Sequence, residues 1–170
     1  PEGIRDDDVT VLLFRDAETK APAGLLFHYT CHPTIMGSYA FSADYPGAAR
    51  RHVENALGGA SCGYLPGCFG DVRPNCTLIG GKEFRRGTPQ DVRAFGTALG
   101  TEVLRAAKEA REIESEPRLF ARTAEVRLPL AAEPEHATLT LQRLDLAPTV
   151  RLVALGGEIC VGYGHFIKGL

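Results

Sequence analysis

The chain has 170 residues, of which 44% are hydrophobic and 24% charged, with a formal net charge of −2. That is enough apolar material for one core of ordinary size, and the even charge balance gives no global pull toward nucleic acid or an anionic surface. No apolar run reaches the roughly 18–20 residues of a membrane helix, and no basic-then-apolar leader opens the chain. Beginning at Pro1 rather than Met, it reads as a processed, trimmed or partial product, with room for a targeting segment upstream. The five cysteines, Cys31, Cys62, Cys68, Cys76 and Cys160, form no Cys-x-x-Cys pair. A structural zinc knuckle is therefore not expected, whereas one disulfide among Cys62, Cys68 and Cys76 is compatible with their spacing. Cys31 and Cys160 sit in apolar runs and read as small buried groups.

Taken in chain order, the acidic cluster Asp6-Asp7-Asp8 precedes Val9–Arg15, a β-branched and aromatic run that suits a strand entered from solvent. A polar turn-rich segment, 16–24, leads to Leu25–Thr30, so residues 9–30 predict a hairpin or two adjacent strands ending at His32. Pro33 stops regular continuation. After a loop, Asp44-Tyr45-Pro46-Gly47 predicts a helix start with Asp44 as cap, running to about Leu57 before Gly58-Gly59. A short strand is expected near Ser61–Leu65. Thr88-Pro89-Gln90-Asp91 then opens a long helix reaching toward Glu114, with Val92, Phe95, Leu99, Val103 and Ala107 at helical spacing. Segments near 118–130, 137–145 and 150–155 read as strands, the last running into Gly156-Gly157-Glu158. The expected fold class is α/β, with α+β as the alternative: a mixed sheet with flanking helices, residues 1–170 forming one domain or the central part of a larger hydrolase domain.

Two dense motifs stand directly after apolar runs: Thr30-Cys31-His32-Pro33-Thr34 and Gly70-Asp71-Val72-Arg73-Pro74-Asn75. His32 is either a metal-ligating imidazole whose approach Pro33 fixes, or a strand-end histidine satisfied by a backbone carbonyl. His28 reads as a half-buried strand histidine; His52, His136 and His165 read as ordinary surface or half-buried ones, and Tyr45 as a packing residue. Glu158, behind two glycines, is a hard oxygen ligand or general base, or else a solvated glutamate at a helix start. The 70–75 turn combines a carboxylate, a guanidinium and an amide. It suits an oxyanion or phosphate, or forms an Asp71–Arg73 clamp with Asn75 as a side-chain cap. No nucleophile elbow, Walker loop or dinucleotide fingerprint is present.

In order, Phe27–Thr34, Ser42-Ala43-Asp44-Tyr45-Pro46-Gly47, Gly70–Asn75 and Gly156-Gly157-Glu158 resemble the neutral/alkaline non-lysosomal ceramidases, zinc amidases that cleave the N-acyl bond of ceramide. The resemblance implies that His32 and Glu158 are zinc ligands, in a site left incomplete within this chain because the family's other histidine and tyrosine ligands lie outside these residues. It also implies cleavage of an amide or ester by metal-activated water, with a small-molecule or lipid-like substrate, no nucleic-acid partner, and a secreted or periplasmic location. Ceramidases carry serine where this chain has Arg73. A guanidinium is not a nucleophile, so Asp71 and Arg73 take catalytic roles as orienting and oxyanion-stabilising groups, and Arg73 with Asn75 binds the substrate. The alternatives are a non-catalytic lipid- or carbohydrate-binding relative, and a structural or interaction domain without metal.

Overall fold

The computed structural model describes residues 3–80, 83–113, 119–130 and 136–169. Two compact units divide the chain: Pro1–Ala110 with Cys160–Leu170, and Arg111–Ile159. The second is inserted in sequence into the first.

In the first unit, β1 (Thr10–Arg15) and β2 (Pro22–Tyr29) form the expected antiparallel hairpin. Asp16 builds its turn by accepting the amides of Glu18 and Thr19. After β2 the chain passes through α1 (Asp44–Ala56) and returns as β3 (Ser61–Pro66), parallel to β2 with Tyr29 opposite Pro66. The sheet order β1-β2-β3 is therefore mixed, an α/β arrangement as expected. A one-turn 3₁₀ helix (Asn75–Thr77) and the short ribbon β4 (Leu78–Ile79) and β5 (Glu83–Phe84) precede α2 (Pro89–Glu109). Helix α2 starts where expected, with Pro89 in the first turn. Thr88 and Asp91 form a reciprocal capping box. It stops at Glu109, short of the expected end at Glu114, which lies outside the described residues.

Odd-numbered residues of β2, Leu25 and Phe27, are buried with Tyr45, Ala49 and Val53 of α1 and Leu99, Val103 and Ala107 of α2. The two helices approach closely because α2 presents Gly96 to α1. A Cβ there would meet the Tyr45 carbonyl at 2.8 Å and the Ala48 methyl. Alanine at that position would thus push the helices apart. All five cysteines are free thiols. The pairing that the spacing of Cys62, Cys68 and Cys76 allows is not made, and Cys160, expected inside, is exposed.

The second unit is an antiparallel meander of β6 (Phe120–Pro129), β7 (His136–Ala147) and β8 (Val150–Leu155). The expected strands at 118–130, 137–145 and 150–155 match it, residue 118 falling outside the described residues. The chain then re-enters the first unit as α3 (Val161–Lys168). No described helix is long and apolar enough to cross a membrane.

Candidate functional site

Parallel pairing of β2 with β3 dictates the site. Strands in parallel register end at the same edge, where ligands of open α/β sheets commonly sit. With Tyr29 opposite Pro66, the residues three positions beyond each strand, His32 and Phe69, meet with ring centroids 4.4 Å apart. The His32 amide donates to the Val72 carbonyl at 2.9 Å, and the Val72 amide donates to Phe69 at 2.9 Å. The two motifs are thereby one structure: a half-buried histidine seated against the 69–75 turn.

Two phenols, one fully buried and one half-buried, hold the strand end that delivers His32. The hydroxyl of Tyr45, a fully buried residue of α1, donates to the Cys31 carbonyl. Tyr64 of β3 donates to the Tyr29 carbonyl at 3.1 Å and lies 3.3 Å from the Tyr45 hydroxyl. Burial pushes the Tyr45 phenol well above its ordinary value and raises Tyr29 and Tyr64 to about 12. Cys31 is likewise raised to about 12 by burial. All four groups are protonated at neutral pH and act as neutral packing or donor groups, so none is a base or a thiolate nucleophile. Tyr45, read from sequence as a packing residue, is also the main tether of the histidine turn.

Asp44 departs from its expected role. The residue before it, Ala43, is the N-cap of α1 and makes no side-chain cap bond. Asp44 has φ 48° and turns its buried carboxylate outward from the helix, accepting the amides of Ile35 (3.3 Å), Met36 (2.8 Å) and Tyr45 (2.8 Å). It pins the loop beyond His32 to the start of the helix, giving the Ile35 and Met36 amides an acceptor.

In the 70–75 turn, Asp71 accepts the amide of Val161 at 2.8 Å, covering one of the unsatisfied donors that open α3. Arg73 places its guanidinium 5.4 Å from the centroid of the Phe84 ring. Among the described residues no ion pair joins the two, so the clamp between Asp71 and Arg73 does not form. Asn75 begins the 3₁₀ turn and gives its carbonyl to Leu78; Thr77 closes that turn on the Pro74 carbonyl at 2.7 Å. Arg73 and Asn75 are exposed. Glu158 follows β8 as expected and is exposed, but it belongs to the second unit, whereas His32, Asp71, Arg73 and Asn75 belong to the first.

Sequence reasoning missed a polar cluster on the other face of β2. Asp6, expected in solvent with Asp7 and Asp8, is only 5% exposed. Its carboxylate pairs with Lys168 of α3 at 2.7 Å and accepts the buried Thr30 hydroxyl at 3.0 Å. Burial pushes the Asp6 carboxyl up, but the hydrogen bonds from Lys168 and Thr30 outweigh it and hold the group below its usual value. Lys168 also reaches Asp8 at 3.1 Å, and His165 meets the Arg5 carbonyl at 2.8 Å. His28 lies beside this cluster, half-buried as expected; burial, then the Lys168 charge, lowers its pKa. Gly67 is required here, since a Cβ would run into the Thr30 hydroxyl and come within 2.9 Å of the His28 ring nitrogen. An alternation of polar residues at 28 and 30 was the available sequence signal for this face.

A cleft of about 620 Å³ in the first unit opens between Pro33, the start of α1 and Tyr64, and the Arg50 side chain on its wall donates to the Cys62 carbonyl. No His, Cys, Asp or Glu trio among the described residues is grouped to hold a metal ion.

No protein-family model matches the chain, and no curated relative does. Solved structures share its fold. A ceramidase complexed with C2 superposes with a TM-score of 0.60 at 23% identity, over 79% of this chain and 22% of that one. The neutral ceramidase from Pseudomonas aeruginosa superposes with a TM-score of 0.58, also at 23% identity, over 77% of this chain and 22% of its own. The chain thus has a ceramidase-like fold and spans about a fifth of the length of the ceramidases it is similar to.

Proposed function

We propose that this chain is part of a ceramidase-like hydrolase acting on an amide or ester, with its substrate lying at the edge beyond β2 and β3. The observation carrying this reading is the hydrogen bond from the His32 amide to the Val72 carbonyl. It joins the histidine turn to the turn that in ceramidases carries the serine tied to amide cleavage. The shared fold supports the same reading.

Arg73 sets the choice of substrate in this proposal. It is exposed, permanently charged and without an ion-pair partner among the described residues, and Phe84 orients it through a cation–π contact. A planar guanidinium so placed suits bidentate binding of a carboxylate or phosphate. Asn75, two residues on, adds an amide to the same exposed turn. Asp71, bonded to Val161, holds the turn to α3.

The described residues do not by themselves make a zinc site, since a catalytic zinc takes about three protein ligands and no such trio is grouped here. His32 and Glu158 are proposed as two ligands of a site completed by residues beyond those described. Metal analysis of the full-length protein tests this. About one zinc per chain is expected, lost in His32→Ala and in Glu158→Ala; unchanged stoichiometry in both variants refutes the assignment. The Arg73 replacement also favours a second reading, a non-catalytic relative that kept the scaffold. Chelator-sensitive hydrolysis of an N-acyl substrate panel by the full-length protein decides against it, and failure to turn over any member decides for it.

A further inference from the structure

We propose that the loop between Ile35 and Asp44 is a docking element for an anionic lipid bilayer. Its tip carries Tyr39 and Phe41, whose relative exposures of 108% and 109% mean that neither ring rests on any part of the described molecule. Free aromatic rings at a loop tip are costly in water unless something covers them.

The base of the loop is rigid. Asp44 at its far end accepts the amides of Ile35 and Met36 at its near end, and the Gly87 amide donates to Ile35 at 2.7 Å in a bridge that pairs Met36 with Gly87. The Arg86 side chain lies across Gly37, where a Cβ would meet it at 2.9 Å. The ends are therefore closed on each other in the manner of an Ω-loop, and ordering the tip against a surface fixes little additional chain.

Charge identifies the occupant. Behind Phe41, a groove between the loop and the helices is lined by Met36, Ala40, Arg51, His52 and Arg93, and no carboxylate lines it. Neither Arg51 nor Arg93 has an ion-pair or hydrogen-bond partner among the described residues. The nearby carboxylates are engaged: Asp44 on three amides, Asp91 on Arg85 at 3.0 Å. Two protruding aromatic rings backed by unpaired guanidinium groups fit the boundary between acyl chains and anionic headgroups. An acidic peptide would need the rings to line a trough, whereas here both stand fully exposed on the loop.

Sedimentation of the full-length protein with phosphatidylcholine vesicles, with and without phosphatidylglycerol as the minority lipid, tests the proposal without using turnover or metal. The result is thus separable from the hydrolase reading. Binding to the anionic vesicles is expected, weakened roughly fivefold by each of Arg51→Gln and Arg93→Gln and at least about tenfold by the double variant Tyr39→Ser/Phe41→Ser. Because both rings are fully exposed, that double variant should melt like the parent protein, and this is checked alongside. Equal sedimentation of the double variant, no sedimentation of the parent protein, or retention on immobilised polyglutamate in place of vesicles overturns the proposal.

Discussion

Replacing Lys168 with Met should destabilise the first unit far more than replacing Asp6, although the two share one ion pair. The reason lies in their unequal burial: the Asp6 side chain is 4% exposed, that of Lys168 35%. In Lys168→Met a buried carboxylate keeps only the Thr30 hydroxyl and the Asp8 amide. Breaking a buried pair from one side typically costs about 3–5 kcal/mol. Protonation caps the electrostatic part: giving a proton to a carboxyl of ordinary pKa near 3.8 at pH 7 costs about 4 kcal/mol, at about 1.4 kcal/mol per pH unit. A loss of about 3 kcal/mol is therefore expected at neutral pH. In Asp6→Asn the partly exposed ammonium keeps Asp8 and water, and the loss should be about 1 kcal/mol. The pH dependence follows from sign. In the parent protein the Asp6 pKa is depressed, so its contribution is present above the unfolded value and fades as pH falls through the folded one. In Lys168→Met the carboxyl is raised instead, and the cap shrinks to about 2 kcal/mol near pH 5, so the deficit should narrow on acidification. All five tyrosines lie in the first unit and the chain has no tryptophan, so urea unfolding followed by tyrosine emission reports on that unit alone. Equal losses in the two single variants, or a double variant as unstable as their sum, would refute the reasoning.

Two further outcomes follow from the tethers of the site. Tyr45→Phe removes the donor to the Cys31 carbonyl, and with Tyr64 only 3.4 Å from the same oxygen as partial replacement, a loss of about 1–2 kcal/mol is expected in the same urea assay. A loss below about 0.5 kcal/mol would show that the tether is dispensable. Asp71→Ala should cost about 1 kcal/mol by uncovering the start of α3, while Asp71→Asn keeps an acceptor and most of the stability. Hydrogen exchange at Val161 separates these variants, and unchanged protection in Asp71→Ala would count against the capping role.

Local periodicity and turn chemistry carried the secondary structure, since Val9–Arg15, the Thr88-Pro89 start and the three late strands are encoded within a few residues of themselves. The meeting of His32 with the 70–75 turn was latent in the sequence, but it rests on the parallel register of β2 and β3, which no local pattern states. Asp6 was misread because an acidic run next to a strand looks solvated until a lysine 162 positions away supplies the counter-charge. Asp44 was misread because helix-start statistics do not reveal that nearby loop amides compete for its carboxylate. The relation of Glu158 to His32 depends on units that fold around separate sheets, and sequence spacing carries no measure of that.

The insertion of the meander between α2 and α3 has a consequence for synthesis. Thr30, Asp6 and the whole β1-β2-β3 sheet leave the ribosome well before α3 is made, and during that interval Asp6 must either stay hydrated or carry a proton. The nascent sheet therefore cannot close over this carboxylate in its final form until the inserted strands have been translated and Lys168 arrives. Cotranslational folding of the first unit is thereby ordered: hairpin and helices first, α3 last.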